Sequence, residues 1–221
     1  MLAAIFDLDG TLVDTYDAHF SSWIGVATII GHDLKESQFA KQFGRRNEPI
    51  IRELFEFAGR SEPSPGEIKD LSDRKEAHFR SIVEKSFPEM PGATEMIESL
   101  HQASWHVAAG TSAPMDNANL FRDRLGCGSL FETIVTGDDV TCGKPDPEVF
   151  LLAADRLGVP AGKCVVIEDA AAGVEAAKRA GMGSVGFCSK GHTHAELSAA
   201  DLVIDALSEI TPKRLAELIQ A

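Results

Sequence analysis

Basic residues are the scarce class in this chain: 21 Lys and Arg stand against 34 Asp and Glu, a formal net charge of -13 over 221 residues. Nucleic acids and anionic membranes need basic surfaces, so neither is expected as a partner. A small anionic substrate stays open, because a metal ion and a few lysines or arginines reverse the potential locally. Long apolar runs are missing too. The longest uncharged ones, such as 23–30, fall well short of the roughly 20 residues a membrane span needs. No basic segment followed by an apolar one stands at the start, so no secretory signal is expected and a cytoplasmic location is the default. The four cysteines (Cys127, Cys142, Cys164, Cys188) show no CxxC pairing and no metal-finger spacing. They read as reduced, mostly core-filling thiols. There is no internal repeat, low-complexity tract or heptad pattern, and a monomer is the default.

What is present is an ordinary globular composition, 44% hydrophobic and 25% charged, enough to fill a sizeable core. The length suits one large domain or a domain with an insertion. Apolar runs of strand length recur at 2–6, 105–109, 133–135, 164–167, 183–187 and 202–204. Helical patterns separate the later ones: Met96, Ile97 and Leu100; Val149, Leu152, Ala153 and Leu157; Val174, Ala177 and Lys178. This alternation predicts an α/β fold, a doubly wound, Rossmann-like parallel sheet. Residues 16–86 differ. Their apolar positions (Phe20, Trp23, Ile24, Ala27; Ile50, Ile51, Leu54, Phe55, Ala58; Phe79, Ile82, Val83) follow a helical period without a convincing strand. The expected organisation is therefore an α/β core from 1–15 and 87–221, with a helical insertion over 16–86. "GRSEPSPGE" (59–67) reads as a turn inside the insertion and "SFPEMPGA" (86–93) as its exit. Trp23 and Trp105 read as packing residues.

The residues just past each strand form a pattern of their own. "DLDGT" succeeds the first, placing Asp7 and Asp9 where a buried strand ends. Like charges so close repel, and burial penalises each further unless a cation or donors compensate. "GTSAP" succeeds the second, with Thr111 expected exposed at the turn and Ser112 beside it; "GKPDPEVF" carries Lys144; "VVIEDAAAG" carries Glu168 and Asp169. Singly, each is explained as a turn residue, a helix cap or a solvated charge. In a parallel sheet all these ends face one way, so the groups meet in one crevice.

In this order the set resembles the haloacid-dehalogenase superfamily of phosphotransferases over nearly the whole chain. Asp7 and Asp9 stand in its DxDG[TV] motif, Thr111 in its second, Lys144 in its third and Glu168–Asp169 in its acidic fourth. The insertion lies where that superfamily often carries a helical cap. The resemblance implies a magnesium-dependent phosphatase acting on a small phosphorylated metabolite. Asp7 would be the nucleophile, forming an aspartyl-phosphate, and Asp9 the general acid and base. Thr111, Ser112 and Lys144 would hold the phosphoryl oxygens. Asp7, the backbone carbonyl of Asp9, Asp169 and Glu168 would hold Mg²⁺, with Glu168 acting directly or through water. From the insertion, Arg45 and Arg46 in "FGRRNEPI", with His19 and Lys75, are candidates for gripping the rest of the substrate. "DTYDAHFSSW" and the "RK" stretch look like the branch containing β-phosphoglucomutase, which makes a sugar-phosphate mutase the rival reading. Pro114 and Met115 depart from the polar contacts expected there, so a phosphatase is favoured. A dehalogenase would leave Asp9 and the acidic pair without a purpose, and a phosphonate hydrolase would need a Schiff-base lysine. A catalytically silent binding module is the alternative from another class. His192 and His194 in "SKGHTHAEL" suggest a metal site, but with no third ligand in register the segment reads as a polar loop leading into a short helix.

Overall fold

Strands buried on both faces read as continuous apolar runs, and such runs form the centre of this protein. The computed structural model describes residues 1–219. Its six strands are β1 (Ala3–Phe6), β2 (His106–Gly110), β3 (Thr133–Val135), β4 (Cys164–Glu168), β5 (Gly183–Phe187) and β6 (Leu202–Ile204). They make one sheet in the order β3-β2-β1-β4-β5-β6, and every pairing is parallel. The predicted α/β class is borne out, with each strand within two residues of its expected limits.

The chain divides into two compact units, Thr15–Pro88 and the combination of Met1–Asp14 with Glu89–Ala221. The first contains α1 (Tyr16–Ile30), α2 (Glu36–Phe39), α3 (Asn47–Phe57) and α4 (Pro65–Lys85). Helical spacing gives α1 a face of Trp23, Val26, Ala27 and Ile30, which joins Ile50, Ile51, Leu54 and Phe55 of α3 and Ile68 and Leu71 of α4 in one core. The turn expected over 59–67 is shorter than predicted. Ser64 accepts from the Glu67 N–H while the Glu67 carboxylate accepts from the Ser64 N–H. With Pro65 in the first turn, this capping box starts α4 inside the predicted turn.

The second unit holds the sheet and α5 (Ala93–Gln102), α6 (Met115–Arg124), α7 (Glu148–Leu157), α8 (Ala171–Arg179) and α9 (Pro212–Ala216). Periodicity located α5, α7 and α8, whose buried stripes include Met96, Ile97 and Leu100; Val149 and Ala153; and Val174 and Ala177. It missed α6, which buries only Asn117, Ala118 and Phe121 and so carries no apolar stripe. The segment 190–199 forms turns rather than the short helix expected. Thr193 closes its first turn, its N–H and Oγ1 both 2.8 Å from Glu196 Oε2. At the edges of this unit's missing span, the Met90 N–H donates to the Leu12 carbonyl at 2.9 Å, and Val13 bridges to Glu89. Trp23 and Trp105 are both buried. Cys127 and Cys164 are core thiols, whereas Cys142 is exposed and Cys188 half-buried. Among the described residues no helix is long and apolar enough to cross a membrane.

Candidate active site

Ligands of open parallel sheets bind beyond the carboxyl ends of the strands, where the strand order reverses. Here that place is the β1–β4 pair, flanked by β2. The Asp7 N–H donates to the Ile167 carbonyl at 2.9 Å, so pairing runs one residue past β1 and sets Asp7 level with Glu168. In-register neighbours on parallel strands present their side chains to the same face. Lys144 bridges the two. Its Nζ donates to Asp7 Oδ1 at 2.6 Å and to Glu168 Oε1 at 2.7 Å, with only 6% of the lysine side chain exposed. Phe150 of α7 lies beneath, its ring centre 4.9 Å from Nζ. The other oxygen of Glu168, Oε2, accepts the Ala170 N–H at 2.7 Å. Gly173 stands so near that a Cβ there would fall 1.9 Å from the Glu168 carboxyl carbon.

Asp169 completes the acidic group. Ser189, just past β5, donates from Oγ to Asp169 Oδ2 at 2.8 Å, and Thr11 Oγ1 lies 3.5 Å from Oδ1. Asp9 is half-buried in a tight turn. Gly10 adopts φ +76°, a conformation a side chain resists, and its N–H donates to the Val13 carbonyl at 2.8 Å.

Thr111 is not exposed at its turn, as the sequence suggested, but 1% accessible. Its N–H extends the ladder to the Val135 carbonyl at 2.9 Å, and its Oγ1 accepts the Ala113 N–H at 3.1 Å. The backbone pairing carries the residue inward past the end of β2. Ser112 beside it is half-buried.

Of three buried carboxylates here, Asp7, Glu168 and Asp169, the first two share one ammonium. Burial above all, joined by Glu168 and Asp9, raises Asp7 to about 7 against the opposing pull of Lys144. Asp169 is lifted well above the usual carboxylate range, by burial first and then by Glu168 and Asp7. Burial works against the charge of Lys144, yet its two carboxylates hold its pKa above the ordinary value. The excess negative charge and all-oxygen donor set fit a hard cation such as magnesium. Asp7, Asp169 and Glu168, with the backbone carbonyl of Asp9, would supply such donors; of these, Glu168 already accepts from both Lys144 and Ala170.

In the helical unit, Lys75 Nζ lies 2.8 Å from both His19 Nδ1 and Glu76 Oε1. Asn47 Nδ2 donates to that same Glu76 oxygen at 2.8 Å. The His19 ring stacks on Phe79, centres 4.0 Å apart. Because an ammonium only donates, Nδ1 is the acceptor and the neutral ring carries its proton on Nε2. Burial opposes the charge on Glu76, but Lys75 and Asn47 bring its pKa down to about 2. Arg45 stands apart from this cluster, paired at 2.7 Å with Glu53, and Arg46 is exposed at the start of α3.

Sequence reasoning missed Ser189, Gly173 and Phe150. Inspecting the residues just beyond each strand, which found Asp7 and Asp169, reaches Ser189 when applied to β5. Gly173 sits in a run of small residues with no local sign of the carboxylate against it.

The family model for haloacid dehalogenase-like hydrolases matches residues 1–181. β-Phosphoglucomutase of Bacillus subtilis is 32% identical over 220 residues, covering 98% of this chain and 95% of the relative. The phosphorylated carbohydrates phosphatase of Thermotoga maritima is 34% identical over 185 residues, 82% of each. Among solved structures, β-phosphoglucomutase from Clostridium difficile superposes with a TM-score of 0.89 at 26% identity, covering 99% of this chain and 97% of that one. With relatives of these kinds the chain is an enzyme, a phosphoric monoester hydrolase or a phosphomutase. The motif residues gathered at β1, β2 and β4, and a family match over most of its length, establish that the chain belongs to the haloacid dehalogenase-like hydrolase family.

Proposed function

We propose that the protein is a magnesium-dependent phosphatase that hydrolyses a small phosphorylated metabolite, through an aspartyl-phosphate on Asp7. The observation that carries this reading is Lys144 shared between Asp7 and Glu168 at 2.6 and 2.7 Å beside the buried Asp169. Asp7, the Asp9 carbonyl and Asp169 would hold magnesium, which would supply charge neutralisation for the dianionic phosphoryl group. Glu168 acts on that site from one layer out, through Lys144.

Lys144 fixes the Asp7 carboxylate by one oxygen and opposes the rise in its pKa that burial imposes. Attack by Asp7 forms a P–O bond as the ester P–O bond breaks, and Asp9 gives its proton to the departing oxygen. Asp9 then takes a proton from water, whose oxygen bonds to phosphorus and frees the Asp7 carboxylate and inorganic phosphate. Lys144, Thr111 and Ser112 steady the phosphoryl oxygens as charge shifts. To the helical unit we assign the part of a cap that excludes water, with His19, Lys75, Arg45 and Arg46 recognising the rest of the substrate. A cytoplasmic, monomeric enzyme acting on a free metabolite completes the reading.

A sugar-phosphate mutase is the second reading. The His19–Lys75–Glu76–Asn47 cluster, with Lys75 and Glu76 buried, favours it, as does the B. subtilis relative over 98% of the chain. One screen separates the two: phosphate release across phosphorylated metabolites with magnesium, including β-glucose 1-phosphate with and without glucose 1,6-bisphosphate. Net phosphate that disappears in Asp7→Asn, together with an acid-stable phosphoenzyme lost in the same variant, is the expected result. Glucose 6-phosphate without net phosphate would establish the mutase. Turnover by a deamidation-free Asp7→Asn protein would refute both.

A further inference from the structure

The parallel register that sets Asp7 beside Glu168 acts again at the far side of the sheet. Phe187 of β5 pairs with Ile204 of β6, and the Cys188 N–H donates to the Ile204 carbonyl at 2.8 Å. Cys188 and Asp205, each one residue past its strand, are therefore next in register. The turns after Cys188 bring His194 back over this pair. Its Nε2 lies 2.6 Å from Asp205 Oδ1, and the donor atoms of Cys188, His194 and Asp205 all lie within 4.8 Å of one another. Among the described residues this is the one group of three such donors drawn together. His194 and Asp205 are exposed and Cys188 half-buried, so an ion from solvent reaches all three.

We infer that Cys188, His194 and Asp205 form a second metal site, for a tetrahedral transition-metal ion of the zinc class, separate from the carboxylates that flank β1. The donor set decides the metal. A thiolate and an imidazole suit a borderline-soft ion, and a carboxylate fits the same sphere, with water in the fourth position. Magnesium and calcium, which take oxygen ligands, are poor matches. Donors around one tetrahedral zinc stand roughly 3.3–3.6 Å apart, given metal–ligand distances of about 2.0–2.3 Å. The His194–Asp205 contact, at 2.6 Å, has to open by about 0.7 Å, and the thiol to close by at most about 1.2 Å. On binding, the Cys188 thiol gives its proton to solvent and exchanges its contact with the His192 carbonyl, 3.4 Å away, for the metal.

The site closes a loop with a job elsewhere. Ser189 lies between two of the ligands in sequence, and its hydroxyl donates to Asp169 Oδ2 at 2.8 Å. His192 in the same loop lies 3.9 Å from that oxygen. An ion on Cys188, His194 and Asp205 fastens the loop at both ends, and so holds Ser189 against Asp169.

The test uses the whole chain, stripped of metal and then kept in excess magnesium so that the oxygen-lined site is filled. Cobalt(II) is titrated in as the probe, because a thiolate ligand gives a charge-transfer band that oxygen ligands do not. The expected result is one equivalent bound, with that band and the intense visible absorption of a tetrahedral ion, reversed by stoichiometric zinc. Cys188→Ser should lose the band. His194→Ala should bind at least about tenfold more weakly, while Cys142→Ser binds as wild type. Hydrogen exchange of the amides over 189–194 should slow when zinc is bound. No cobalt bound, a spectrum without the thiolate band, or a band that survives Cys188→Ser would each overturn the inference. None of these readouts depends on turnover, so they stand or fall independently of the proposed phosphatase.

Discussion

Replacing Glu76 with glutamine should unpick the helical unit by a calculable amount. Glu76 is 8% exposed, and its carboxylate pairs with the Lys75 ammonium at 2.8 Å while accepting from Asn47 at the same distance. These partners overcome burial and bring its pKa from 4.5 to about 2. A folded pKa below the unfolded one means the stabilisation is fully present above pH 4.5 and drains away as the pH falls through 2. A difference of about 2.5 pH units at 1.36 kcal/mol each comes to roughly 3 kcal/mol at pH 7. The amide of the Glu76→Gln variant keeps an acceptor for Lys75 and Asn47 but no charge, so the whole of that amount is at risk and the ammonium is left uncompensated. Trp23, whose ring centre is 5.5 Å from Lys75 Nζ, reports on this site. Changing the other tryptophan, Trp105→Phe, makes its fluorescence the sole indole signal. Urea unfolding of both proteins in that background, from pH 7 down to pH 2.5, should show a gap of roughly 3 kcal/mol that narrows steadily below pH 4.5. A gap under about 0.5 kcal/mol at pH 7 would refute the electrostatic account. So would a gap that ignores pH, since lost packing has no proton to follow.

Lys144→Met removes the counter-charge of two buried carboxylates, and phosphate release should fall below detection. Its unfolding free energy at pH 7 should drop by about 3–5 kcal/mol; a fully stable Met variant would show that Asp7 and Glu168 do not rely on the ammonium. Gly173→Ala pushes a methyl group to within 1.9 Å of the Glu168 carboxyl carbon. Displacing Glu168 shifts Lys144 with it, so turnover should fall about 10²-fold. Wild-type rates in that variant would mean that the position of Glu168 is immaterial.

Much of this site was readable because parallel strands impose one rule. Residues just beyond their carboxyl ends share an edge, and apolar runs reveal where they end. The neighbourhood of Asp7, Glu168 and Asp169 was legible in that way, and Lys144 by the loop chemistry around it. The burial of Thr111 was not legible, because it depends on Val135 and Ala113, partners that only folding supplies. Helices with a stripe, such as α5 and α7, announced themselves, whereas α6, with Asp116, Asn117 and Asn119 in its first turns, did not. His194 shows the same limit from another side. Its companions stand six residues before it and eleven after, at a spacing no local pattern encodes.

The bond from Met90 to Leu12 has a consequence for how such a chain can change over time. The two ends of the α/β unit that frame Thr15–Pro88 are sewn to each other, so the sheet does not depend on what the interruption contains. That splice point behaves as a socket. Segments of different length and composition can be exchanged there while the strand ends that carry Asp7, Glu168 and Asp169 stay joined, so the interruption is free to diverge without the sheet being rebuilt.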